Sequence, residues 1–176
     1  MDWFLLFILV SLALLFPTGY AAFIGAPYAP TKLAAVKKAF DEIGLSNTDT
    51  LIDLGAGDGK ILIEASRRGA HAIGYELSPI MWAVIWLRVL SKRGAISVRY
   101  KNFYTATFPE ATVVFAFLMP KNMPKVKELL QKQSLPQVRY FLAYAFPLSD
   151  IQPLKVIREP QCAALYIYDF KSINRV

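Results

Sequence analysis

Three carboxylates and three glycines mark the part of the chain that could bind a ligand. The segment "LIDLGAGDGK", residues 51–60, has glycine at every second position, with Asp53 before the glycines and Asp58 among them. Glu76 follows the last of these glycines by seventeen residues. Because glycine has no Cβ, such a loop lets a ligand approach the backbone closely. The flanking carboxylates favour a ligand that carries positive charge over one that carries phosphates.

Three known loop patterns compete for this segment. A phosphate-binding P-loop, GxxxxGK[ST], requires Ser or Thr after its lysine, whereas Ile61 follows Lys60. A dinucleotide loop requires GxGxxG, whereas the glycines here run GxGxG. The third pattern is a strand that ends in Asp, then GxGxG, then an acidic residue at the end of the next strand. Asp53, the loop and Glu76 satisfy this third pattern.

The third pattern also specifies the ligand. A carboxylate at the tip of a second strand can accept both hydroxyls of a ribose. A sulfonium, an amino acid and an adenosine together describe S-adenosylmethionine, which suits an acidic glycine loop followed by Glu76. The arrangement resembles motif I and its acidic successor in class I methyltransferases.

A parallel sheet is needed to hold this loop in place. Five apolar segments predict buried strands that alternate with helical segments, at residues 50–54, 71–76, 97–100, 112–118 and 138–146. Residues 153–159 and 162–170 predict a final antiparallel pair. The predicted fold is therefore α/β, a doubly wound Rossmann-like sheet of the class I methyltransferase kind, mostly parallel with a C-terminal hairpin. Ligands bind such sheets at the carboxyl ends of the strands.

Capping residues predict where two of the helices begin. Thr31 is the expected N-cap of a helix that runs to about Ile43, and Gly44 would close that helix. Ser78 and Pro79 are expected to start another helix, as N-cap and first-turn proline.

The N-terminal segment predicts a membrane anchor. Residues 3–26 contain no charged side chain, and about 20 apolar residues suffice to cross a bilayer as a helix. Pro17 and Gly19 would either kink this helix or end it early. Lys32 and the lysines after it place the bulk of the chain on the cytoplasmic side, or the matrix side of a mitochondrion. A hydrophobic arm that packs on the domain is the alternative.

These observations predict a single-pass membrane protein in three parts. Residues 1–26 form the transmembrane anchor, 27–44 a linker and pre-domain helix, and 45–176 the cofactor-binding domain. The net charge of +7 favours contact with anionic surfaces or merely improves solubility. One cysteine, Cys162, excludes an internal disulfide and is expected to be a structural thiol. His71 is likewise expected to be structural, and no metal is expected.

Further motifs point to one family. "PYAPT", "DLGAGDGK", "GYELSP", "KNFY" and "FAFLMPKNM" occur in this order. Together with the N-terminal apolar span, they resemble a family of small membrane-anchored protein-lysine methyltransferases, over about residues 26–170. Members of that family modify the c-subunit of ATP synthase and the adenine nucleotide translocase. The family usually has valine between the tyrosine and the proline of "PYxP", where this chain has Ala29.

The resemblance implies a set of cofactor-binding residues: Tyr28, Thr31, Asp53, Gly55, Ala56, Gly57, Gly59, Glu76, Leu77, Asn102 and Phe103. The glycine loop with Asp53 would hold the methionine part of the cofactor, and Glu76 the ribose. The pair after the third strand, Asn102 and Phe103, would lie beside the adenine. Tyr28 and Thr31 would close over the methionine end or over the target amine.

The predicted function is N-methylation of a lysine in a membrane-associated or membrane-embedded protein. Nucleic acid is disfavoured because "FLMP" stands where amide and adenine methyltransferases carry [DN]PP[FY]. Two other hypotheses stay open: methylation of a small lipophilic molecule such as a quinone or lipid, and cofactor binding without catalysis. The sequence does not identify a general base; Tyr28, Tyr104 and a backbone carbonyl are candidates.

Overall fold

The computed structural model describes residues 2–24, 31–92, 94–133 and 135–173. Its helices are α1 (Trp3–Ile24), α2 (Leu33–Glu42), α3 (Lys60–Arg67), α4 (Pro79–Arg88), α5 (Met123–Lys132) and α6 (Phe170–Ile173). Its strands are β1 (Thr50–Leu54), β2 (His71–Glu76), β3 (Ile96–Tyr100), β4 (Val113–Ala116), β5 (Tyr140–Tyr144), β6 (Lys155–Ile157) and β7 (Leu165–Asp169).

The seven strands form one sheet in the order β3-β2-β1-β4-β5-β7-β6. The first five strands are parallel, whereas β7 runs antiparallel to both β5 and β6. The predicted α/β fold with a final antiparallel pair is thereby confirmed. The strand order reverses between β1 and β4, so the loops that follow these strands diverge and leave a crevice at their carboxyl ends.

The ends of several predicted elements shift by a few residues. Strands β1 and β2 have the predicted bounds, but β4 and β5 are shorter than their apolar runs. The N-cap of α2 is Lys32 and its last residue Glu42, so the prediction of Thr31 as N-cap is wrong by one residue. Ser78 does cap α4, because its hydroxyl accepts the backbone N–H of Met81 at 3.3 Å.

Apolar side chains cover both faces of the sheet. One face packs against α2, α3 and α4, with Val36, Phe40, Leu62 and Ile85 fully buried. The other face packs mainly against α5 and α6. Helix α2 thus contributes to the same core as the sheet. Because helices cover both faces of the sheet, the parallel strands are apolar throughout.

Helix α1 leaves most of its apolar side chains between Trp3 and Tyr20 exposed. It is long and apolar enough to cross a membrane by length and composition. It continues through Pro17 to Ile24, so the alternative that it ends early at Pro17 is wrong. Near its C-terminal end it meets α4, where the hydroxyl oxygens of Thr18 and Ser78 lie 3.3 Å apart.

Candidate functional site

The glycine loop joins β1 to α3 at the carboxyl edge of the sheet. Its backbone is left-handed at all three glycines, with φ of +92° at Gly55, +55° at Gly57 and +78° at Gly59. A Cβ at Gly59 would lie 2.8 Å from Cγ2 of Ile85 in α4. The loop therefore needs glycine for two reasons, the backbone conformation and the close approach of α4.

Strand β2 holds the loop from the other side. The backbone N–H groups of Gly55 and Ala56 both donate to the carbonyl oxygen of Tyr75, at 3.1 and 2.9 Å. A Cβ at Gly74 would lie 2.8 Å from the Cβ of Ala56. Neither Tyr75 nor Gly74 was assigned a role from sequence; the one signal was a glycine inside a strand pattern, which indicates close backbone approach.

Glu76, at the end of β2, faces this loop. Its Oε2 accepts the N–H of Gly57 at 2.8 Å, and its Oε1 accepts those of Leu77 at 2.9 Å and Ser78 at 2.8 Å. Glu76 is only 9% exposed. Burial raises its pKa, although the three backbone N–H groups act in the opposite direction. The structure therefore brings Gly57, Glu76 and Leu77 together, as the sequence predicts.

Asp53 lies below the loop, on β1, and is 2% exposed. Burial raises the pKa of its carboxyl group well above the ordinary value, and the nearby charges of Glu76 and Asp58 raise it further. Among the described residues, none donates a hydrogen bond to Asp53, and no group of three acidic, His or Cys side chains there could hold a metal ion. The Asp53 carboxyl can therefore accept a donor from a ligand.

Asp58 is already neutralised by the protein. Its Oδ2 lies 2.9 Å from a guanidinium nitrogen of Arg88 and 3.1 Å from Nζ of Lys60. Burial alone would raise the pKa of Asp58, but the hydrogen bonds and charges of Arg88 and Lys60 outweigh it and lower this pKa. Of the two flanking carboxylates that were expected to favour a cationic ligand, Asp58 is therefore already paired with cations of the protein. Lys60 is a half-buried ion-pair partner of Asp58.

The residues after β3 lie beside Glu76. Tyr100 pairs with Glu76 in the β2–β3 register, and the N–H of Lys101 donates to the Glu76 carbonyl at 3.1 Å. Asn102 then caps a single 3-10 turn, its Oδ1 accepting the N–H of Tyr104 at 3.0 Å. Phe103 is buried, with its ring 4.2 Å from that of Tyr104. The predicted pair Asn102 and Phe103 therefore stands next to the acidic end of β2.

Two further side chains lie at this edge: Leu118, which was not assigned from sequence, and Tyr104, a candidate general base. A Cβ at Gly55 would lie 3.5 Å from Cδ2 of Leu118, in the loop after β4, so Leu118 forms the opposite wall of the crevice. The hydroxyl of Tyr104 is buried and has no hydrogen-bond partner among the described residues. Burial raises the pKa of Tyr104. A phenolate at neutral pH is therefore disfavoured, which weakens Tyr104 as a general base.

The remaining sequence predictions concern Tyr28, Thr31, His71 and Cys162. Tyr28 lies outside the described residues, as does the boundary at residues 26 and 27. Thr31 is half-buried, two residues before α2. His71 begins β2 at the opposite, amino edge of the sheet, and the half-buried Cys162 packs against the core.

Comparison with known proteins gives a consistent family assignment. Residues 53–155 match the ANTKMT methyltransferase domain. The ATP synthase c-subunit lysine N-methyltransferase of Xenopus laevis is 29% identical over 155 residues, which cover 85% of this chain and 66% of that protein. The protein-lysine N-methyltransferase of Saccharolobus islandicus is 30% identical over 136 residues, covering 75% of this chain and 84% of that protein.

A mouse relative and a solved structure extend the comparison. The adenine nucleotide translocase lysine N-methyltransferase of Mus musculus is 31% identical over 112 residues, which cover 62% of this chain but only 48% of that protein. The crystal structure of an RNA methyltransferase from Salinibacter ruber in complex with S-adenosyl-L-homocysteine superposes with a TM-score of 0.72. It is 24% identical and covers 81% of this chain and 94% of that chain. The likeness shows the class I methyltransferase fold that the sequence predicts.

Proposed function

Because this chain belongs to the ANTKMT methyltransferase domain family, we propose that it transfers the methyl group of S-adenosylmethionine to a lysine of a membrane-associated protein. The observation that carries the proposal is Glu76. Its carboxylate is oriented by three backbone N–H groups beside a left-handed glycine loop, at the carboxyl edge of the sheet. This arrangement fits an adenosine that carries an amino acid through a sulfonium.

The cofactor-binding set keeps the roles predicted from sequence. Loop residues Gly55 to Gly59 would lie along the methionine part, and the Asp53 carboxyl would accept from its ammonium group. Glu76 would accept the ribose hydroxyls, because each carboxylate oxygen can accept more than one hydrogen bond. Asn102 and Phe103 would border the adenine, while Tyr28 and Thr31 would close over the methionine end.

The cofactor supplies an electrophilic methyl group, and the protein must supply a neutral amine aligned with it. Burial of a lysine in an apolar slot lowers the pKa of its ammonium group, so the proton can leave to water before transfer. Leu118 supplies an apolar wall of this kind beside Gly55. The contribution of the protein would then be alignment and exclusion of water.

The names of the relatives support a protein substrate, and α1 supports a membrane location for this chain. The frog relative is named for the c-subunit of ATP synthase and the mouse relative for the adenine nucleotide translocase. Helix α1 would anchor residues 1–26 in the bilayer, and Lys32 with the lysines after it would keep the domain on the cytoplasmic or matrix side. Anchoring raises the local concentration of enzyme near substrates in the same membrane.

Incubation of the purified chain with membranes and tritiated S-adenosylmethionine tests the proposal. We expect label in a protein band, recovered as methyl-lysine after acid hydrolysis. Label that organic solvent extracts would indicate a small lipophilic acceptor, and measurable cofactor binding without any label would indicate a binding protein.

Two matched variants make this experiment specific. Glu76→Gln should abolish most of the label. The NH2 group of glutamine is a donor, and it would face at least one of the backbone N–H groups that now donate to the carboxylate. Glu110→Gln removes an equal charge from an exposed residue before β4, at the opposite edge of the sheet, and should leave the label unchanged.

A further inference from the structure

The described surface has an apolar patch that the domain core does not cover. Helix α4 buries only Ile85 completely, whereas Ile80, Trp86, Leu87 and the following Leu90 are exposed. Leu87 is 61% exposed and Trp86 41%. We define these four residues as the α4 patch. Large exposed apolar patches on soluble proteins mark sites of interaction.

The α4 patch is continuous with the apolar helix α1. The two helices are in contact, and the hydroxyls of Thr18 and Ser78 meet at the N-terminal end of α4. None of the residues in the apolar window of α1, Trp3–Tyr20, is buried. Whatever surrounds α1 therefore also reaches the start of α4.

The segment of sequence that carries the α4 patch has charged residues of one sign, although one of them, Arg88, pairs with Asp58 of the glycine loop. Residues 77–109, which contain α4 and β3, include five Lys and Arg and no Asp or Glu. They are Arg88, Lys92, Arg93, Arg99 and Lys101. A helix with exposed Trp and Leu among basic residues is typical of elements that lie in the interface of an anionic bilayer.

The patch also lies close to the candidate site. Ser78, which contacts α1, donates its backbone N–H to Glu76. Tyr100, which is 50% exposed, pairs with Glu76 at the end of β3. The carboxyl edge of the sheet and the end of α1 are therefore on the same side of the domain.

We propose that the α4 patch inserts into the headgroup region of an anionic bilayer, as a second membrane contact beside α1. The start of α4 and the carboxyl edge beside it then lie at the membrane surface, so the crevice between the loop after β1 and Leu118 opens next to the bilayer. This inference shares one premise with the proposed function, namely that α1 is a membrane anchor. It adds that the acceptor lysine lies near the bilayer surface.

Tryptophan fluorescence of the full chain tests the insertion. The chain has three tryptophans, so Trp3→Phe with Trp82→Phe leaves Trp86 as the only emitter. The protein is reconstituted in vesicles of phosphatidylcholine and phosphatidylglycerol, with plain or brominated acyl chains. We expect brominated lipid to reduce Trp86 emission by roughly half, since an interfacial helix buries its apolar face about 5–10 Å into the boundary of headgroups and acyl chains.

A matched control places the only tryptophan at the edge of the sheet furthest from α4. Leu154 is 66% exposed just before β6, the strand furthest from β3. A chain with Leu154→Trp and all three native tryptophans changed to Phe should show equal emission in both kinds of vesicle.

Two results would overturn the inference. One is equal Trp86 emission in plain and brominated vesicles with full access to iodide, which would show an aqueous α4. The other is Trp86 shielded from iodide but not quenched by bromine, which would show that a protein surface covers α4. Because no methyl transfer is measured, either result leaves the proposed function standing, and loss of transfer activity would leave the inference standing.

Discussion

The carboxylate of Glu76, at the end of β2, accepts the backbone N–H of Gly57, in the loop after β1, at 2.8 Å. This bond ties the glycine loop to β2 through the protein's own atoms. The loop and Glu76 are therefore preorganised, so the binding free energy of a ligand that contacts both is not reduced by the entropy cost of ordering the loop.

Replacement of Glu76 tests this arrangement directly. Glu76→Gln should weaken S-adenosylmethionine binding by roughly ten- to hundredfold, because hydrogen bonds to a charged group contribute about 1.5–3 kcal/mol each. Isothermal titration calorimetry of the two variants Glu76→Gln and Glu110→Gln measures the difference. Equal affinities of the two variants would contradict the assigned role of Glu76.

Asp53 should make the protein less stable as pH rises. Its folded pKa is raised, chiefly by burial, so the folded state holds a proton that the unfolded state releases above about pH 3.9. Its favourable contribution is complete below that pH and is lost as pH rises through the folded pKa. Denaturant titrations at several pH values should therefore show Asp53→Asn gaining stability over the wild type as pH rises toward 7, with weaker cofactor binding. A stability difference that does not vary with pH would contradict this prediction.

The Asp58–Arg88 ion pair should behave in the opposite way. The pKa of Asp58 is lowered, so its contribution is present above its unfolded pKa and is lost as pH falls through the folded pKa. Arg88→Gln should cost about 1 kcal/mol at pH 7, since Arg88 is partly exposed and Lys60 still pairs with Asp58. This cost should shrink near pH 3. The control is Arg158→Gln, at an exposed arginine after β6. An equal loss of stability in the two variants would refute the specific role of Arg88.

Gly59 should tolerate alanine less well than Gly44 does. Both have positive φ, +78° and +64°, so alanine is strained by about 1–2 kcal/mol at either position. Only at Gly59 does the new Cβ also meet a neighbour, 2.8 Å from Cγ2 of Ile85, whereas Gly44 has open space. Denaturant titrations of Gly59→Ala and Gly44→Ala should show a clearly larger loss for Gly59→Ala. Equal losses of stability in the two variants would mean that α4 shifts to accommodate the new Cβ at no free-energy cost.

Tyr104→Phe tests the candidate general base. The Tyr104 hydroxyl is buried without a partner among the described residues, so its removal should leave stability unchanged or raise it by up to about 1 kcal/mol. Because burial raises its pKa, methyl transfer should stay within a few-fold of the wild type. A drop in the transfer rate by an order of magnitude or more, with cofactor affinity retained, would instead assign Tyr104 a role at the target amine.

The sequence by itself determined the elements that carry the site. Strands β1 and β2 were predicted to the residue because short apolar runs bounded by turn residues specify buried parallel strands. The loop and Glu76 were predicted as partners because parallel strands place their carboxyl ends at one edge. Strands β4 and β5 were predicted too long, since apolar residues continue into the loops after each strand ends.

Only the tertiary structure decided which charges remain for a ligand. Asp58 and Asp53 look alike in sequence, but Arg88, thirty residues away along the chain, pairs with Asp58 alone. The contact of Thr18 with Ser78 joins residues sixty apart and likewise has no local signal. Propensity and periodicity depend on adjacent residues, whereas an ion pair or a helix contact depends on how packing brings distant segments together. The loop can therefore be recognised from adjacent residues alone. Which of its charges are paired, and how α1 lies against α4, depends on contacts between distant residues.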